Sequence, residues 1–278
     1  MPAARRFRAF TLIELLVVIA IIALLVAILL PSLGKARTAA RLAQSMANIR
    51  AIVVANDTYR TDHKSSLPYM STAGKYGATW SFAGKECSPY WQTFLGGIYD
   101  FPARTRPLNA YLYPEIRMDS TTTAASRLAI EIPVVKSPGD RATFQRNFPS
   151  PDKTISAYDD VGCSYQYNGR WFNQVVRPTI AQWSPWSYKI SAAFGRACDS
   201  GQMSTAKFVL YHDQAADIVS NDPSGRNWIT EFGDRNKSVM AFLDSHVAYV
   251  EVIPNADFGP GYDFRFPLID RINAAVRP

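Results

Sequence analysis

Cysteine is scarce in this chain: only Cys87, Cys163 and Cys198 occur in 278 residues. No C-x-x-C pair is present, which disfavours a zinc knuckle or a thioredoxin-like site, and an odd count leaves at least one thiol outside any bridge within the chain. Histidine is equally scarce, with His63, His212 and His246 alone. His212 and Asp213 are neighbours and point apart on a strand, and no third ligand is nominated for a His-based metal site. There is no G-x-S-x-G, no P-loop and no G-x-G-x-x-G, so the commonest hydrolase and nucleotide-binding signatures are missing. Internal repeats and low-complexity stretches are also lacking. With 47% apolar and 19% charged residues, a disordered chain is excluded.

The formal charge of +7 lacks the distribution expected of a nucleic-acid grip. Residues 1–62 hold eight Lys or Arg against three acids, whereas the remaining 216 residues carry 22 basic and 20 acidic side chains. A phosphate-binding domain concentrates charge on its own face. Here the excess flanks an apolar run, as in a membrane-insertion signal, and no nucleic-acid partner is expected.

That run is what the sequence has most plainly. From Phe10 to Leu30 it reads FTLIELLVVIAIIALLVAILL, with one charge, Glu14, and one hydroxyl, Thr11. At about 1.5 Å per residue a helix of this length spans the roughly 30 Å of a bilayer core. It is apolar all round, so it belongs in lipid or in a bundle. The run is too long for the apolar part of a secretory signal, and Pro31-Ser32-Leu33-Gly34-Lys35 is no A-x-A cleavage site. Glu14 sits about one turn inside the run, where an ionised carboxylate needs a cationic partner. A free α-amino group made by cutting just before Phe10, on a neighbouring chain, would be such a partner.

The stretch Ala9-Phe10-Thr11-Leu12-Ile13-Glu14-Leu15-Leu16-Val17-Val18-Ile19-Ala20 resembles the prepilin N-terminal cleavage and methylation motif of type IV pilins and type II secretion pseudopilins. The resemblance implies removal of a basic leader, residues 1–9, by a membrane prepilin peptidase, and N-methylation of Phe10. It also implies that Glu14 sets helix register in a filament of pilin or pseudopilin subunits. Pro31 stands where many family members have a helix-kinking proline. Ala9 replaces the usual Gly before the cut. The resemblance further implies a single-pass protein of the inner membrane, its N-terminus at the cytoplasmic face and its head outside. Two function classes follow. One is a structural filament subunit, foremost a type II secretion pseudopilin. The other is a minor tip pilin or tethered binding module whose head recognises a surface or exported cargo.

Beyond Pro31, Leu33, Ala36, Ala40, Ala43, Met46, Ile49, Ile52 and Val53 recur every three or four residues, which predicts an amphipathic helix over 31–62 ending before Ser65-Ser66-Leu67-Pro68. Residues 63–278 are rich in Tyr, Trp, Pro and Gly and show no further long helical pattern. Val239–Leu243 and His246–Val250 read as a hairpin around a two-residue turn, Asp244-Ser245. The predicted fold class is α+β: a long helix, membrane-spanning over 10–30, packed on a mostly antiparallel sheet with loop-rich insertions.

The head is similar to the larger bacterial pseudopilin-like proteins that end in His, nine residues, then Asp-Gly. Phe242-Leu243-Asp244-Ser245-His246-Val247 corresponds to the end of that motif, but Asp234 stands in place of His and Ser245 in place of Gly. Arg106–Leu112 and Ser137-Pro138-Gly139-Asp140 resemble other segments of these heads. Some pseudopilin heads hold Ca²⁺, and Asp213, Asp217, Asn221 and Asp222 gather hard oxygen ligands; a solvated acidic loop is the alternative. Cys163–Cys198 is the favoured disulfide, with three buried apolar thiols as the alternative. Cys198-Asp199-Ser200-Gly201 is similar to a serine-protease nucleophile segment, but no matching His and Asp segments accompany it. No enzymatic activity and no cofactor other than Ca²⁺ is expected.

Overall fold

The computed structural model describes residues 12–68, 78–114, 130–148, 150–171, 183–201, 203–224, 228–266, 269 and 272. Helix α1 runs Leu12–Asp62 and contains Pro31. The chain forms two units that divide at Ala40/Arg41, inside α1. The first segment of α1 is all-round apolar, with Ser32 Oγ donating to the Leu29 carbonyl (2.8 Å) just past the proline.

In the second unit the rest of α1 buries Ile49, Ile52, Val53 and Tyr59 in the core. The stripe is rotated from the predicted one. Ala43 is exposed and Leu42 packs instead, while two polar residues, Ser45 and Asn56, are fully buried. Each meets a tyrosine hydroxyl: Ser45 with Tyr165 at 2.9 Å and Asn56 Oδ1 with Tyr211 at 3.0 Å. A buried polar atom is tolerated when so paired, which is why hydropathy alone misplaced the face. The helix ends where expected: Lys64 and Ser65 take left-handed backbone, and the Ser65 amide donates to the Arg60 carbonyl at 2.8 Å.

Short helices α2 (Pro89–Thr93) and α3 (Asn109–Leu112) lead to α4 (Ala157–Val161). Strand β1 (Tyr165–Tyr167) follows, then α5 (Trp183–Cys198), β2 (Val209–Asp213), α6 (Gln214–Asn221), β3 (Lys237–Phe242) and β4 (Val247–Glu251). β1-β2-β3-β4 form one fully antiparallel sheet, and β5 (Phe258–Gly259) pairs with β6 (Tyr262–Asp263) in a small ribbon. The α+β class holds. The 16-residue α5 is a correction, because Pro185, Gly195 and several aromatic and Ser residues weaken its helical signature.

Strands β1 to β3 are buried on both faces, and β4 is half-buried. Val239 and Ala241 join the cluster that contains α1, while Met240 and Phe242 join Val219 of α6 and Tyr262 and Phe264 around the ribbon. That is the period-two alternation of a strand with core on either side. A register shift between Val209 and Tyr211 puts Val209 in the second cluster and both Leu210 and Tyr211 in the first. The β3–β4 hairpin exists, but its loop has three residues. Ala241 pairs with Val247, the Phe242 amide donates to the His246 carbonyl (3.0 Å), and Ser245 takes φ 68°. A three-residue loop with a left-handed last position replaces the expected two-residue turn.

Candidate functional site

From Leu12 to Leu30 every side chain is exposed. The most apolar 18-residue window has mean hydropathy 3.3 and is 0% buried. Leu12 is 86% and Ile28 65% exposed. A continuous apolar surface of this size belongs against lipid or against other helices. Glu14 is the acidic residue of the first turn and is exposed on this surface, where the positive end of the helix dipole favours its carboxylate. It is the only acid in the first 56 residues. Ala9 and Phe10 lie outside the described residues. α1 continues through Pro31 as helix.

The candidate sites of the head are rearranged. Asp213 is buried at the start of α6, where it accepts from the Ala215 amide (3.0 Å), Ser238 Oγ (2.6 Å) and the Val239 amide (3.0 Å). Asp222 ends the same helix and accepts from Ser224 and from Trp228 Nε1 (2.8 Å). Asp217 and Asn221 lie on the helix itself, where Asn221 Nδ2 donates to the Asp217 backbone carbonyl at 2.9 Å. The eight-residue helix between them sets Asp213 and Asp222 about 13 Å apart, so the expected four-ligand calcium loop is not assembled. The stretch read as a loop is a capped helix.

The expected Cys163–Cys198 bridge is not formed either: all three cysteines are free and buried. Cys163 precedes β1 beside Arg106 and Asp140, while Cys198 ends α5 beside Arg60 and Asp199. Burial pushes Cys87 up to about 11, and Cys163 and Cys198 each up to about 12. Asp244 and His246, on either side of Ser245 in the hairpin loop, meet, with Nδ1 and Oδ1 2.5 Å apart. Both sit at the exposed turn, and the Asp244 carboxylate also accepts from the His246 amide at 3.2 Å.

Two segments singled out in the sequence are structural staples. Arg106 is fully buried, and its guanidinium donates to four carbonyls: Phe101 (3.3 Å), Trp80 (3.1 Å), Ala83 (2.8 Å) and Val161 (2.8 Å). Burial lowers its pKa, and Cys87, Cys163, Glu86 and Asp100 oppose that shift. Donor atoms of Glu86, Cys87 and Asp100 lie within 4.8 Å of one another; beside this guanidinium the two carboxylates read as its counter-charge. Asp140, which closes the Ser137–Asp140 turn, accepts from the Ala157 and Tyr158 amides (3.0 and 2.8 Å) and from Ser164 Oγ (2.6 Å). It thereby caps α4.

Above this turn lies a cleft of about 450 Å³ that sequence reading missed, because its residues come from three distant segments. Phe144, Ile218 and Trp228 form apolar walls, and Arg141, Lys153 and Glu231 supply polar groups. Phe144 and Trp228 meet edge to face, 6.2 Å between centroids. Glu231 accepts from Ser137 Oγ at 2.7 Å. Burial, then the nearby Asp213 and Asp140, push its carboxyl well above the usual range.

Residues 4–30 match the family model described as the prokaryotic N-terminal methylation motif. Neither a curated protein nor a solved structure matches the chain. The matched residues carry the prepilin-type motif, so the N-terminal segment is type IV pilin-like, with an apolar helix suited to membrane anchoring. The motif implies processing by prepilin peptidase and assembly with other pilin subunits, and the proteins that carry it are typically structural rather than enzymatic.

Proposed function

We propose that this protein is a structural subunit of a type IV pilus-like filament, foremost a type II secretion pseudopilin, anchored in the inner membrane with its head outside the cytoplasm. One observation carries the reading: an uncovered apolar helix whose single carboxylate, Glu14, falls fifth from Phe10 at the expected start of the mature chain. Leu and Ile side chains pack against one another almost equally well in many registers. A carboxylate facing the α-amino group of a neighbour's Phe10 is satisfied in one register only, and in lipid the unsatisfied alternatives are costly. Assembly would thus be fixed by one ion pair within an otherwise uniform contact.

Two measurements on membrane-extracted protein test this. N-terminal sequencing should find N-methylated Phe10 as the first residue; a start at Met1 or beyond residue 30 refutes the reading. Glu14→Leu should leave insertion and cleavage intact, since it makes the segment more apolar, yet abolish recovered filaments or cross-linked ladders. Glu14→Asp, with its shorter reach, should weaken assembly without eliminating it. Filaments from Glu14→Leu at the parental yield would show that Glu14 does not set register.

A second reading, a minor tip pilin or tethered binding module, is favoured by the head's apolar cleft.

A further inference from the structure

We propose that the head cleft is a docking site for a peptide segment carrying an acidic residue beside a bulky apolar one. The inference gives chemical content to the binding-module reading and rests on the head alone, so it stands or falls separately from filament assembly.

Size is the first support. About 450 Å³ lies in the range of preformed ligand sites and admits one large side chain with part of its backbone. The walls are the second. Phe144, Ile218 and Trp228 present apolar and aromatic surface, and Ile229, which also lines the cleft, is 64% exposed. Trp228 is held rigidly, its indole N–H fixed on Asp222 and its backbone amide on Asn236 Oδ1 (2.7 Å). Gln214 is likewise committed, to the Ala142 carbonyl and the Phe144 amide. A wall whose polar atoms are already satisfied selects for apolar contact, and a wall with fixed rotamers loses little entropy when covered.

Charge at the mouth is the third. Arg141 and Lys153 are exposed, and among the described residues neither has an ion-pair partner. The acids beneath them are engaged elsewhere. Neither Asp140 nor Asp213 lines the cleft, and each spends its carboxylate on three hydrogen bonds from backbone amides and hydroxyls. Glu231 is held by Ser137, and its raised pKa keeps it toward the neutral acid. The mouth is therefore cationic over an apolar floor, complementary to a carboxylate next to a large apolar side chain.

The test uses the full chain in neutral-lipid nanodiscs and isothermal titration calorimetry, with empty discs subtracted. The probes are three acetylated, amidated hexapeptides: GDFLEG, GKFLKG and GDAAEG. GDFLEG should bind at least tenfold more tightly than either of the others. Arg141→Glu combined with Lys153→Glu, both at exposed positions, should weaken GDFLEG at least tenfold and reverse its preference over GKFLKG. Ile229→Asp, also exposed, should weaken it several-fold. A melting curve of each variant that overlays the parent's assigns the loss to the cleft. The proposal is overturned if GDFLEG and GKFLKG bind equally, if no probe binds, or if the folded charge-reversal variant binds GDFLEG like the parent.

Discussion

Arg106 shows how a buried charge can be held mainly by backbone carbonyls, with the carboxylates of Glu86 and Asp100 acting on it only through space. Its four carbonyl partners come from the segments around residues 80–83, 101 and 161, so one planar fork ties two stretches of loop to the end of α4. A lysine ammonium is a point donor and cannot span those directions. Arg106→Lys should leave at least two buried carbonyls unpaired and cost about 3–5 kcal/mol, a drop of roughly 8–15 °C in melting temperature for a head of this size; a thermal melt followed by circular dichroism checks it. Glu231 makes the opposite case. Its folded pKa lies well above the usual carboxylate value, whereas unfolded it titrates near 4.3. Between those two pH values the unfolded chain gives up its proton first, so stability falls as pH rises. Glu231→Gln keeps an acceptor for Ser137 and has no proton to lose. It should melt higher than the parent at pH 8 and no differently at pH 4. A variant that loses stability at both would mean that the carboxyl is ionised in the folded head.

Elements in the head are short, and their ends are fixed by contacts that sequence patterns do not display. The α4 C-terminus turns on Gly162, with φ 88°, and a Cβ there would sit 2.2 Å from the Lys85 carbonyl oxygen and 2.9 Å from Arg106 Nη2. The close approach lets the Lys85 amide bond the Gly162 carbonyl at 3.0 Å. Gly201 has a similar φ, 68°, but open space around it. Gly201→Ala should therefore cost only the backbone strain, about 1 kcal/mol, while Gly162→Ala should cost several times as much, because backbone and a buried guanidinium must move together. Comparative urea unfolding of the two variants distinguishes the terms of this argument, and equal midpoints would refute it. The contrast also explains what was legible from sequence. α1 was readable from Leu12 to Asp62, because a 21-residue apolar run and a stripe at helical spacing are local signals. The β3–β4 hairpin was readable because two apolar runs flank a turn. The rotation of the α1 stripe was hidden, since burying Ser45 and Asn56 depends on tyrosines 120 and 155 residues away. The calcium set failed for a related reason: acidic residues at positions 213, 217 and 222 look like a ligand loop until Asp213 and Asp222 prove to be the two caps of one helix. The cleft was invisible because Phe144, Ile218 and Trp228 are adjacent only in the fold.

For the whole molecule, the side of the membrane on which the head lies is not decided by charge counting. Arg5, Arg6 and Arg8 precede the apolar run, and Lys35, Arg37 and Arg41 follow it, so the cationic flanks are balanced. The proposed function places the head outside, and the buried thiols offer a clean way to measure it. Cys87 and Cys163 are at most 1% exposed, and Cys198 is 5% exposed. Burial also raises all three above the ordinary thiol range, to about 11 or 12, which suppresses the reactive thiolate. The folded parent should therefore stay unlabelled by a membrane-impermeant maleimide and react only after denaturation. Ala206 is exposed in the turn before β2, so Ala206→Cys adds one accessible thiol without disturbing the core. In intact spheroplasts that variant should label as fully as in lysed ones. Labelling that appears only after lysis would put the head in the cytoplasm and refute the orientation. Labelling of the parent in intact spheroplasts would mean instead that the head opens enough to expose its own cysteines, against the burial seen in the fold.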